Sequence, residues 1–208
     1  MNPWWIDLIA TVVFGCVGFL SIQLSAAVCK NVVPFEDGPK PGRPPVIALI
    51  LGCAVVGFSL ALRGAAAPNL IIAALILVPL VACWYSDVRC GILPDYFTIV
   101  TLAFWLLISV AFKNYTPIVS AAIVFIPFAV AAALSKGRGM GWGDVKLVTL
   151  GAAVLGLQAA ALAFGGACLV AVFIAMIRRR RSEPIAFAPY LAFSIAVVIA
   201  FPVLPPAS

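Results

Sequence analysis

The chain has 208 residues, 65% of them hydrophobic and 10% charged, with a net charge of +6 and no histidine. Soluble domains carry about half apolar and about a quarter charged residues, so this composition excludes water as the main solvent of the surface. The absent histidine excludes Ser-His-Asp, Cys-His and His-ligated zinc catalysis.

In chain order, apolar runs between polar punctuation predict helical segments near 4–28, 46–62, 68–86, 96–112, 117–134, 145–157, 159–177 and 186–204. The expected fold is an all-α, polytopic membrane bundle of about eight transmembrane helices, forming a single membrane domain over residues 1–208. A helix needs about 20 residues to cross ~30 Å of hydrocarbon, so the sixth segment is short. It is set off from the seventh only by a turn around Gly156 to Gln158.

The first run has no basic residue before it and carries Asp7, whereas Lys30 lies on its far side. That pattern predicts a retained helix with its N-terminus outside, not a cleaved signal. Residues 29–45, spanning the Pro- and Gly-rich KNVVPFEDGPKPGRPP, read as a short cytoplasmic linker. With eight crossings, Lys30, Lys40, Arg43, Arg89, Lys136, Arg138, Lys146 and Arg178 to Arg181 all fall inside. Only Arg63 and Lys113 fall outside, which accounts for all 13 basic residues and follows the positive-inside rule. The basic residues sit between apolar segments, which points to anionic membrane lipids and not to nucleic acid. The six cysteines form no C-x-x-C pair, so neither zinc nor a disulfide framework is indicated.

Among the seven acidic residues, Asp87 ends the third run and Asp144 opens the sixth, both on the cytoplasmic face of this topology. A carboxylate at a helix C-terminus faces the negative end of the macrodipole, at a cost of up to ~1 kcal/mol, so stability alone favours Lys or Arg at position 87. Asp144 has a structural role open to it as an N-cap. Its setting is less ordinary, because Gly137, Gly139, Gly141 and Gly143 alternate before it and let a second backbone approach. Two carboxylates at one membrane depth suit aspartyl proteolysis, in which one activates water and a protonated partner polarises the carbonyl. An ion path through a small transporter or channel, and an inactive assembly scaffold, are the alternatives. Helix-end fields favour charge on Asp144 and disfavour it on Asp87, which makes Asp144 the base and Asp87 the acid of the first step.

Asp87 to Asp95 resembles the D-x6-P-D segment of the bacterial type IV prepilin peptidases, including Pro94 and Asp95. Gly141-Trp142-Gly143-Asp144-Val145-Lys146-Leu147 resembles their G-x-G-D-V-K-L motif. Ile185 to Pro189, with Phe187 and Pro189 retained, is similar to their I-P-F-G-P. The resemblance runs from about Val81 to Leu191. It implies a catalytic pair, Asp87 and Asp144, of the G-x-G-D aspartic membrane peptidases, with no metal or organic cofactor. The substrates it implies are prepilins or pseudopilins of type IV pilus and secretion systems. They would be cut on the cytoplasmic side of the bacterial inner membrane. Gly141, Gly143, Lys146, Pro94, Asp95, Phe187 and Pro189 are carried over as substrate-binding or supporting residues. Asp95 ranks below Asp87 as the first acid because it follows Pro94, a good N-cap position for the fourth helix. Longer members carry paired C-x-x-C motifs after the first helix, accompanying N-methylation. The short linker here resembles the peptidase-only members.

Overall fold

In the computed structural model, residues 4–30, 43–134, 141–177 and 187–201 are described, and they form eight α-helices with no strand among them. These are α1 (Trp4–Cys29), α2 (Val46–Leu62), α3 (Ala67–Cys90), α4 (Asp95–Ala111), α5 (Thr116–Leu134), α6 (Trp142–Leu155), α7 (Leu157–Ile177) and α8 (Ala188–Ala200). The chain is a polytopic helical membrane protein. Spans within α1, α3, α5 and α7 are long and apolar enough to cross a bilayer, and α2, α4 and α8 are shorter apolar helices. Large apolar side chains such as Leu20, Leu107 and Leu169 lie on the outside of the bundle, as a lipid solvent requires.

Two boundaries differ from the sequence expectation in ways that matter for chemistry. The third helix runs four residues past its expected end at Ser86, to Cys90, so Asp87 lies within its last turn and is not its final residue. Gly91 closes this helix at φ 67°, a left-handed conformation that suits glycine, and its N–H donates to the Asp87 carbonyl at 2.9 Å. The sixth helix begins at Trp142, three residues early, which brings Asp144 inside its first turn. Between α6 and α7 the break is a single residue, Gly156 at φ 77°, within the expected turn. The linker core at 31–42, the Gly137 and Gly139 positions, and Arg178 to Arg181 lie outside the described residues.

At 14 residues, α6 rises only ~21 Å, less than the hydrocarbon thickness. Irregular backbone at membrane depth is tolerated where protein covers it, and α6 packs against α4, α5, α7 and α8. Leu147, Val148 and Leu150 of α6 join Leu77, Leu80 and Cys83 of α3 and Leu191 and Ile195 of α8 in one buried core. The Trp105 Nε1–H donates to the Ala153 carbonyl at 2.9 Å and pins α4 to α6. The Ser25 hydroxyl donates to the Ala82 carbonyl at 2.8 Å and pins α1 to α3. Small residues permit the closest approaches. A Cβ on Gly57 would meet Phe14 at 2.6 Å and the Ala10 carbonyl oxygen at 2.8 Å, so α1 and α2 pack through that glycine.

At the end of the bundle away from Asp87, the Arg63 guanidinium lies over the Phe201 ring at 5.0 Å. The C-terminal ends of α2 and α8 therefore meet there. That places the start of α8 at the opposite end, beside the end of α3.

Candidate active site

Asp87 and Asp144 come from different helices, and the fold brings their carboxyls within electrostatic reach of one another. Asp87 is buried, at 6% exposure, and Asp144 is partly buried. Each is held by a helix N-terminus, but not in the way the sequence suggests.

Asp144 is not the N-cap of α6; Gly141 is, and Asp144 sits three residues in. From there its carboxyl reaches back and accepts the Gly141 main-chain N–H, as the acidic residue of a capping box does. The reason is steric. Gly141 takes the extended conformation of a cap at φ −74° and ψ 146°, and the helix is already under way at Trp142.

Asp87 closes α3, but its carboxyl also accepts the main-chain N–H of Ala188, the first residue of α8. The positive end of α8 therefore offsets the negative end of α3, a term absent from the dipole expectation above. Both acids stand at helix N-termini, and the field of α3 alone does not separate them. Ala188 is the contact that side-chain reasoning missed. The signal for it was the Ile185-to-Pro189 motif, whose Phe187 caps α8 and whose Pro189 sits in the first turn, where a missing N–H has no helical partner to lose. Ile185 and Ala186 lie outside the described residues.

One oxygen of each acid, Asp87 Oδ2 and Asp144 Oδ1, is buried and accepts no hydrogen bond from the described residues. Buried polar atoms are rarely left so, and those that are need an explanation. Asp7 Oδ1, in the first turn of α1, is similar.

The remaining sequence candidates surround this pair. Pro94, not Asp95, is the N-cap of α4, and Asp95 is the first helical residue. The Asp95 carboxylate instead forms an ion pair with the Lys146 ammonium, tying the start of α4 to α6 close to Asp144 in the chain. Lys146 is thus committed to Asp95. Gly143 is needed for packing: a Cβ there would lie 3.0 Å from Leu93 Cβ and 3.1 Å from its Cδ1. The start of α6 presses against the α3–α4 turn through that gap. Among the described residues, a Cβ on Gly141 would meet only Asp144 Oδ2, at an ordinary 3.6 Å. Arg89, two residues past Asp87, donates to the Tyr85 hydroxyl at 3.2 Å and lies over its ring.

The model of the type IV leader peptidase family matches residues 73–176, half of the chain, and the match includes both aspartates. The chain belongs to the type IV leader peptidase family. Membership carries a leader-peptidase function in general and agrees with the helical membrane fold. The match ends before Ile185, so the Ala188 contact at Asp87 is supplied from outside the matched region. No curated protein and no solved structure matches the chain.

Proposed function

We propose that this leader peptidase is an aspartic endopeptidase, with Asp87 and Asp144 as its catalytic pair. The observation that carries the reading is the pair itself: two carboxyls from separate helices, in electrostatic reach, each with a buried oxygen that the described residues leave uncommitted. Asp144, with more solvent access, takes a proton from water as the hydroxyl attacks the scissile carbonyl. Asp87, in its protonated form, donates a hydrogen bond to the carbonyl oxygen as negative charge develops there. Collapse of the tetrahedral intermediate breaks the C–N bond and passes a proton to the leaving amine. Leader acid and a shortened protein with a new N-terminus are the products, and water is the only co-reactant.

The substrates are type IV prepilins or pseudopilins, whose leader precedes an apolar helix, and the reaction takes place at the cytoplasmic face of a bacterial inner membrane. Residues 1–208 act as one membrane unit, with 29–45 as a linker. Both acids sit at helix ends, which favours a peptidase at the membrane boundary over a transporter with its site near the midplane. The test is incubation of the purified protein, in lipid vesicles, with candidate prepilins. A product shortened by the leader supports the reading, and intact substrate across a panel of pilins and pseudopilins refutes it and leaves the scaffold alternative.

Sidedness has its own test. Reporter tags in the 29–45 linker, near Lys136 and after Arg181 should all face the cytoplasm, and a tag at the C-terminus should face outside, from the eleven-to-two division of basic residues. A cytoplasmic C-terminus would show that the number of crossings is odd.

The enzyme should also purify without stoichiometric zinc and should leave the new N-terminus unmethylated. With no histidine and no paired C-x-x-C motif, a tetrahedral structural site lacks its usual donors. Elemental analysis and mass spectrometry of the cleaved product check this. A mass increase of one methyl group, with this chain as the only enzyme, would overturn the peptidase-only assignment.

A further inference from the structure

The first and third helices run side by side in the same direction. Ile6 and Ala10 of α1 share an apolar pocket with Ala67 and Leu70 of α3. Further along, Ile22 packs in one cluster with Val81 and Tyr85, and the Ser25 hydroxyl reaches the Ala82 carbonyl. Continued by one more turn, this register carries Cys29, the last residue of α1, to the last turn of α3, which ends at Cys90. The two thiols meet there and share a hydrogen bond. Cys53 and Cys83 are sealed in the core at 3% and 0% exposure, whereas Cys29 and Cys90 keep a narrow opening at 9% and 8%. A small molecule can therefore reach the pair, which stands at two helix ends and not in the middle of a span.

Packing alone asks only for small apolar side chains at these two positions. Two sulfurs in contact add a bond that can be made and broken. At the cytoplasmic face, where the topology proposed above puts them, thiols are kept reduced and a disulfide is transient and redox-sensing, so the pair suits a switch and not a staple. Its place in the fold ties it to the acid pair. Cys90 lies in the same last turn as Asp87, and the next residue, Gly91, donates its N–H to the Asp87 carbonyl. The Asp87 carboxyl is held by the Ala188 N–H of α8, which makes no contact with α1 among the described residues. A covalent bond between the sulfurs needs a closer approach than a hydrogen bond. Making it draws the end of α3 toward α1 with no matching movement of α8.

We propose that Cys29 and Cys90 are a thiol pair that a peroxide converts into a disulfide, and that this disulfide slows the peptidase by displacing the turn that carries Asp87. The second half rests on the peptidase reading above, and the first half does not. One thiolate attacks the O–O bond of the peroxide, which leaves a sulfenic acid and water. The other thiol then attacks that sulfur and expels the oxygen as a second water. In sum, two thiols and one hydrogen peroxide give one disulfide and two waters, with two electrons passing from sulfur to oxygen. Two molecules of a small thiol such as glutathione reverse the step and become one disulfide themselves.

The experiment reads the bond and the activity separately. The full chain, in vesicles of phosphatidylethanolamine and phosphatidylglycerol, is exposed to hydrogen peroxide, its free thiols are capped with a maleimide, and it is digested with trypsin without reduction. Trypsin cuts after Lys30, Arg89 and Lys113, so the disulfide joins a fragment ending at Lys30 to the fragment 90–113. Mass spectrometry should find that joined species, lighter than its parts by two hydrogens, and glutathione should abolish it. Prepilin cleavage by the same sample should fall about tenfold or more and return with glutathione. Cys29→Ser and Cys90→Ser should each cleave as the wild type does and lose the response to peroxide. Absence of the joined fragment, a joined fragment with unchanged cleavage, or full peroxide sensitivity in both serine variants would overturn the proposal. A joined fragment from a chain whose reduced form cleaves no prepilin would establish the thiol pair and remove the peptidase reading together with its control.

Discussion

Asp87→Asn and Asp144→Asn should each abolish leader cleavage, with the rate falling by at least ~10²-fold, while the protein still inserts and purifies as the wild type does. Asparagine keeps the size of the side chain and can still accept the main-chain N–H of Ala188 or Gly141, so the helix ends that hold the two acids stay in place. What it removes is the ability to take or give a proton. The pH–rate profile of the wild type should be bell-shaped, because the proposed mechanism has the pair share one proton between its two groups. At low pH both are protonated and no base remains; at high pH both are ionised and no acid remains. The two apparent pKa values belong to the pair and not to either residue. Asp95→Asn is the matched control. It removes an ion pair to Lys146 whose carboxylate is 59% exposed, and pairs of that kind contribute ~1 kcal/mol or less, so activity should fall no more than a few-fold. Substantial cleavage by Asp144→Asn would remove the catalytic assignment. An inactive Asp95→Asn beside an active Asp87→Asn would transfer the first role to Asp95.

Much of this geometry was legible in the sequence because it is written in hydropathy and in charge. Apolar runs place all eight helices, since lipid demands that the whole span be apolar and the helical hydrogen bonds be satisfied within it. The order of Asp87 and Asp144, one at the end of a run and one at the start of another, puts them at one end of an up-and-down bundle. Three features were not legible, and each depends on a neighbour distant in sequence. The Ala188 N–H at Asp87 is a backbone group, with no side-chain identity to announce it. Lys146 pairs with Asp95 across 51 positions, although Asp144 is its closer acidic neighbour along the chain. Gly143 reads as freedom for a loop, whereas its role in the fold is to admit Leu93. Cap positions were also displaced, because Pro94 and Gly141 take the extended cap conformations and push Asp95 and Asp144 into the first helical turns.

The two glycines of the Gly141-to-Leu147 motif should respond to substitution in opposite ways. Gly143→Leu must displace Leu93, because even its Cβ would stand 3.0 Å from the Leu93 Cβ, and three further carbons follow. Leu93 lies in the short turn between Gly91, which caps α3, and Pro94, which caps α4. Moving that turn shifts the end of α3 against the start of α6, which are the two segments that carry Asp87 and Asp144. A displacement of about 1 Å between reacting groups is enough to lower a rate by ~10²-fold, so Gly143→Leu should be nearly inactive although its helices remain apolar and insert. Gly141→Ala should retain activity within a few-fold. The φ of Gly141 is −74°, which any L-residue adopts, its nearest foreign atom is at an ordinary contact distance, and its N–H still reaches the Asp144 carboxyl. Cleavage assays on the two variants, with thermal unfolding in detergent to confirm that both fold, decide the matter. Equal activity in the two would mean that Leu93 moves aside without disturbing the acid pair. An inactive, well-folded Gly141→Ala would show instead that a substrate backbone passes over position 141 and leaves no space for a methyl group.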